Sequence, residues 1–154
     1  MARVYLAPTI QALPLIYSVD SPVGQNHTNK RDDVLLVQFF LKVISEHDRL
    51  YMPPGQSPIQ IDGIHGPQTS AYIRQYQLEN SRRNPGAKAG GTLKQDGIVH
   101  PIQAGSPVSP VSSTLYTIVA LNLSYGRARG TEMLRDITKD PLFPAGLRPS
   151  IAVG

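Results

Sequence analysis

The chain has 154 residues, of which 40% are hydrophobic and 17% charged, with fourteen Pro, thirteen Gly, no Cys and a net charge of +4. That length suits one domain, and the missing Cys excludes disulfide frameworks, thiolate metal sites and Cys nucleophiles. No run of Lys or Arg exceeds two and aromatics do not interleave with them, so sequence-specific nucleic-acid reading is not expected. The mild basicity suits an anionic partner, such as a wall polymer, nucleic acid or an acidic protein surface, without choosing among them. No apolar run reaches the length of a membrane span. Pro8 and Pro14 break the short apolar stretch after Met1-Ala2-Arg3, so no signal peptide is read there. Synthesis in the cytoplasm is the expectation.

Residues 1–31 are expected to form an extended N-terminal arm. Arg3-Val4-Tyr5-Leu6 and Leu15-Ile16-Tyr17-Ser18-Val19 read as short strands that need a partner, because a lone hairpin is marginal in water. Asp32 and Asp33 open the first helix, which ends between Ser45 and His47; either Asp is a candidate cap. Val34, Val37, Leu41 and Ile44 mark its apolar face, widened by Leu36, Phe40 and Val43. Residues 48–58 read as a loop.

A turn follows at Asp62-Gly63-Ile64-His65-Gly66-Pro67-Gln68-Thr69. Gly63 supplies a backbone conformation that other residues resist, Asp62 bonds N–H groups beyond it, and Pro67 suits the first helical position. The second helix is expected over Pro67 to Ser81, with Thr69, Tyr72, Ile73 and Tyr76 on one face. Residues 80–91 read as a projecting basic loop carrying Arg82, Arg83 and Lys88. An echo of the turn stands at Asp96-Gly97-Ile98-Val99-His100-Pro101. Residues 102–111 read as a loop. A third helix is expected from Ser112 to Tyr125, capped by Ser112 or Ser113, with Leu115, Ile118, Val119 and Asn122 on one face and Gly126 as its stop. Residues 126–154 read as an extended C-terminal arm with a short helical turn near Glu132 to Thr138.

The stretch 32–125 resembles the peptidoglycan-binding domain family, a three-helix module found on many cell-wall hydrolases. The resemblance is carried by Asp33 to Leu41, by Asp62 to Thr69, by Tyr72 to Gln77 and by Asp96 to Pro101. In the second repeat His100 replaces the usual Gly and the Thr is absent, and loops 48–58 and 80–91 are long for the family. The resemblance implies a mainly α fold, a small three-helix bundle built on two Asp-Gly turns and flanked by the two arms. The turns, Asp62, Gly63, Gly66, Pro67, Thr69, Asp96, Gly97 and Pro101, define the fold.

The implied ligand is a glycan or its peptide stem, met where the turns join the helix starts. Candidates are His65, Gln68, Tyr72, Arg74, Gln75 and His100, each of which has an ordinary fold or surface duty as the alternative. His65 and His100 hold near-equivalent places, but no ligand spacing of the His-Glu-x-x-His kind makes them a metal pair. No nucleophile elbow, acid/base pair or phosphate loop is present, so neither an enzyme nor a cofactor is expected. The expected function is a non-catalytic cell-wall-binding module. It would be carried as a structural subunit of an assembly such as a phage tail or contractile injection particle, with the arms held by neighbouring subunits. The alternative is a purely structural virion protein that keeps the fold without glycan binding.

Overall fold

The structure, a computed structural model, describes residues 3–6, 15–83, 93–103 and 115–150. In chain order they form strands β1 (Arg3–Leu6) and β2 (Leu15–Ser18), helices α1 (Arg31–His47), α2 (Pro67–Arg83) and α3 (Thr117–Arg129), and the short α4 (Thr131–Arg135). Single 3-10 turns lie at Arg49–Tyr51 and Ile137–Lys139, and a longer one at Ala145–Ser150. The fold is thus mainly helical: three principal helices pack with a small hairpin.

Helix α1 is the centre. Val34, Leu35, Leu36, Val37, Phe39, Phe40, Leu41, Val43 and Ile44 are all buried, so α1 is apolar nearly all round rather than along one stripe. The neighbours that cover it explain why. Helix α3 packs against α1, and β2 of the hairpin packs against α3. Phe143 sits against Phe39 with ring centroids 5.4 Å apart, and Leu147 is buried in the same core. Phe39 also meets Tyr125 of α3 at 5.5 Å, and the C-terminal segment adds to the packing around it and Leu35.

The expected arms are therefore corrected. β1 and β2 pair with each other, antiparallel, Val4 opposite Tyr17. Ile16, Tyr17, Val19 and Val23 belong to the same core as α1, and so do Leu134, Ile137, Phe143 and Leu147. The Tyr17 backbone N–H donates to Asn122 Oδ1 at 2.9 Å, and Asn122 Nδ2 returns a bond to the Tyr17 carbonyl at 2.9 Å. This pair lets α3 complete a strand edge that would otherwise bury unpaired backbone groups. Residues 1–2, 7–14 and 151–154 lie outside the described residues.

Helix boundaries shift for physical reasons. α1 begins at Arg31 with Lys30 as cap residue and no capping side chain. The expected Asp cap is not made: the Asp33 carboxylate faces back and accepts from Asp20 N–H at 2.9 Å and Ser21 N–H at 3.0 Å. α2 begins at Pro67, as expected, and runs through to Arg83. α3 begins at Thr117 and passes through Gly126, ending at Gly130 with φ of 92°. Gly126 is no stop: it is packed against, since an added Cβ would lie 3.5 Å from the Leu134 side chain. The expected caps Ser112 and Ser113, and most of loops 80–91 and 102–111, lie outside the described residues.

Candidate binding site: the two Asp-Gly turns

Both turns are held by a glutamine from the preceding helix. Gln38 of α1 points its amide at the first turn. Its Oε1 accepts from the N–H groups of Asp62 at 3.0 Å and Gly63 at 2.8 Å. Its Nε2 faces Asp62 Oδ1 at 2.9 Å, the Ile64 carbonyl at 3.0 Å and Thr69 Oγ1 at 3.0 Å. Gln77 of α2 does the same for the second turn. Its Oε1 accepts from Gly97 N–H at 2.8 Å, and its Nε2 faces Asp96 Oδ1 at 3.3 Å, the Ile98 carbonyl at 3.1 Å and Thr117 Oγ1 at 3.0 Å.

Each Asp also bonds its own turn, Asp62 Oδ1 accepting from Ile64 N–H at 2.9 Å and Asp96 Oδ1 from Ile98 N–H at 3.0 Å. These bonds, with the Gln38 amide, hold the Asp62 carboxyl below its ordinary range. For Asp96, burial pushes upward, but the His100 ring, the Ile98 N–H and the Gln77 amide outweigh it and the net direction is down.

The second repeat does not lack its Thr. Thr117, the first residue of α3, takes the place that Thr69 takes in α2, after a longer path of chain. The Gly at position 66 proves dispensable to the backbone. It has no positive φ, and an added Cβ would meet nothing within 4 Å. This explains why His100 can stand at the matching position. Gly63 and Gly97 are different, with φ of 76° and 73°.

A looser third version closes the fold. Asp140 Oδ1 accepts from Leu142 N–H at 2.9 Å, and its Oδ2 accepts from Tyr125 Oη at 2.7 Å and Arg129 Nε at 3.0 Å. Here a tyrosine replaces the glutamine.

The candidate ligand residues separate into three groups. Gln68, Tyr72 and Gln75 direct side-chain hydrogen bonds to residues 50–60. Gln68 Oε1 accepts from Gln60 N–H at 3.1 Å, its Nε2 donates to the Ser57 and Pro58 carbonyls at 3.3 Å each, Tyr72 Oη donates to the Ser57 carbonyl at 2.6 Å, and Gln75 Nε2 donates to the Leu50 carbonyl at 2.9 Å. Tyr72 is otherwise fully buried. It offers no open ring face to a sugar.

Arg74 and His100 sit at the second turn. An added Cβ on Gly97 would lie 2.9 Å from Arg74 Cζ, so the guanidinium covers that glycine, as Arg31 covers Gly63. Arg31 also donates to the Asp62 carbonyl at 2.9 Å. His100 Nε2 lies 3.0 Å from Asp96 Oδ2, and its ring meets that of His27 edge-on at 6.2 Å. His65 stands apart from both groups. Its Nε2 is shielded and meets no hydrogen-bonding group among the described residues, and burial lowers its pKa. Among the described residues no three His, Cys, Asp or Glu converge as a metal site would require.

Gln38, Gln77 and Thr117 were not singled out by the turn motifs. Their signal was present: Gln38 interrupts an otherwise apolar run from Val34 to Leu41, and Gln77 follows the buried Tyr76. A buried amide in such a run must find backbone partners. No family model, no curated protein and no solved structure matches the chain.

Proposed function

We propose that the protein is a non-catalytic peptidoglycan-binding module that serves as a structural subunit of a larger assembly, such as a phage tail or contractile injection particle. The observation that carries this reading is the repeated unit of helix, glutamine, Asp-Gly turn and threonine at the next helix start, formed by Gln38, Asp62 and Thr69 and again by Gln77, Asp96 and Thr117. It is the order in which the resemblance to the peptidoglycan-binding family runs. The assembly part rests on surface rather than on free arms. Ile64, at the tip of the first turn, is 65% exposed, and Leu50 is 59% exposed. Such exposed apolar side chains are available to a protein contact.

A purely structural role is the second reading. It is favoured by the internal use of Gln68, Tyr72 and Gln75, whose side chains bond the loop at residues 50–60. Co-sedimentation with purified insoluble peptidoglycan separates the two. The binding module pellets with the wall material, and a purely structural protein stays in the supernatant.

A further inference from the structure

The loop that follows α1 is long, yet it is held firmly. Besides the bonds from Gln68, Tyr72 and Gln75, Asp48 Oδ1 accepts from Leu50 N–H at 3.1 Å, and Arg83 Nη1 reaches Asp48 Oδ2 at 2.7 Å. Tyr51 stacks on Tyr76 with centroids 5.1 Å apart, and the Arg83 guanidinium lies 4.9 Å from the Tyr51 ring centroid. So many contacts on one loop fix its shape before any ligand arrives, which removes part of the ordering cost of binding. The far side of this loop faces the C-terminal half of α1 across a cleft of about 420 Å³. That is the size of a small-ligand site.

The cleft has an apolar floor and a charged rim. Met52 and Pro58 offer the apolar surface, backed by the buried Ile59; Lys42, Glu46 and Arg49 stand at the rim. Lys42 and Glu46 pair at 3.4 Å and largely cancel. Arg49 makes no ion pair or side-chain hydrogen bond among the described residues, so the rim carries one cation to spare. A guanidinium of that kind recognises a carboxylate.

We infer that this cleft binds a short peptide with a free carboxylate and a small apolar side chain, the acid paired with Arg49 and the apolar group on Met52 and Pro58. Resting on the peptidoglycan reading above, this assigns the stem peptide, rather than the sugar chain, as the part recognised. Gln68, Tyr72 and Gln75, expected to touch a glycan, then act as positioning residues, because they hold the loop that walls the cleft.

The test is a titration of isotope-labelled protein followed by amide NMR shifts, using a synthetic stem tetrapeptide, the same peptide as its C-terminal amide, and a soluble chitooligosaccharide. The expected result is saturable shifts at residues 42–59 with the free acid, with affinity roughly tenfold weaker for the amide and for Arg49→Gln. Arg49 is exposed, so the substitution should leave the thermal melt unchanged. No shifts at residues 42–59, or equal affinity for acid and amide, overturns the inference. Shifts there on raising protein concentration alone would assign the cleft to a second copy and also overturn it. Retention of the protein on whole peptidoglycan without any response to the peptide sinks this inference and leaves the module reading standing.

Discussion

The Gln77 side chain donates to the Thr117 hydroxyl at 3.0 Å across forty residues of chain, and Gln38 meets Thr69 at the same distance. Each contact ties the end of one turn to the start of the next helix through a buried amide. Removing that buried amide leaves several turn N–H and C=O groups without their side-chain partner. Gln38→Leu should lower stability by about 3 kcal/mol and Gln77→Leu by a similar or slightly smaller amount, read from urea midpoints. A loss within 0.5 kcal/mol for either would show that the turns stand without their clasps.

Glycine substitutions should divide by backbone angle. Gly63 and Gly97 adopt φ of 76° and 73°, and an added Cβ would also crowd the Arg31 stem at the first and the Arg74 guanidinium at the second. The backbone cost then dominates, and Gly63→Ala and Gly97→Ala should each lose about 1–2 kcal/mol. Gly66→Ala should stay within about 0.5 kcal/mol of wild type, since it has ordinary φ and open space. Thermal melts of the three variants, compared side by side, check the ranking.

The N-terminal segment should be required for folding. Ile16, Tyr17 and Val19 are each buried, and full burial of such side chains contributes about 1.5–3 kcal/mol apiece. Deleting residues 1–22 also strips Asn122 of both Tyr17 backbone partners. Their combined loss is comparable with the whole stability of a small domain. The truncated chain should show no cooperative thermal transition by circular dichroism. A sharp transition near the wild-type midpoint would restore the view of residues 1–31 as a separable arm.

Acid should weaken the fold in two stages. The folded pKa values of Asp62 and Asp96 lie below their unfolded ones, so each stabilises the protein fully above about pH 4 and loses that contribution as pH falls through the folded value. Burial lowers His65 in the same sense, so its contribution is complete above about pH 6.5 and is lost as pH falls toward its folded value. Asp33, raised by burial, works in the opposite direction and blunts the lower stage. Urea midpoints measured from pH 8 to pH 3 should therefore begin to fall below about 6.5 and fall again near 4. His65→Gln should flatten the first fall, and Asp62→Asn should reduce the second. An unchanged upper slope in His65→Gln would remove His65 from the account.

Much of this architecture was legible in the residues. Asp62-Gly63 and Asp96-Gly97 name their turns because only a few residue types accept those backbone angles, and Pro67 marks the start of α2 because proline has no N–H to lose there. The apolar density of α1 was visible too, but its meaning depended on distant chain. Phe39 finds its ring partners in Tyr125 and Phe143, both far along the chain. Proline-rich ends read as extended from local pattern alone, whereas burial against α1 decides their fate. The candidate site was least legible. Gln68, Tyr72 and Gln75 have the right chemistry for a ligand, and the loop at residues 50–60 claims it first. Thr117 was hidden because its turn and its helix are separated by intervening chain.

The central claim is recognition of peptidoglycan without chemistry upon it. The most direct measurement is a binding isotherm of the intact protein on purified insoluble peptidoglycan, with chitin as a control surface and the supernatant assayed for released fragments. The account predicts saturable retention on peptidoglycan, little on chitin, and no soluble fragments. A protein that remains in the supernatant at every concentration would contradict it, and so would release of fragments from the wall.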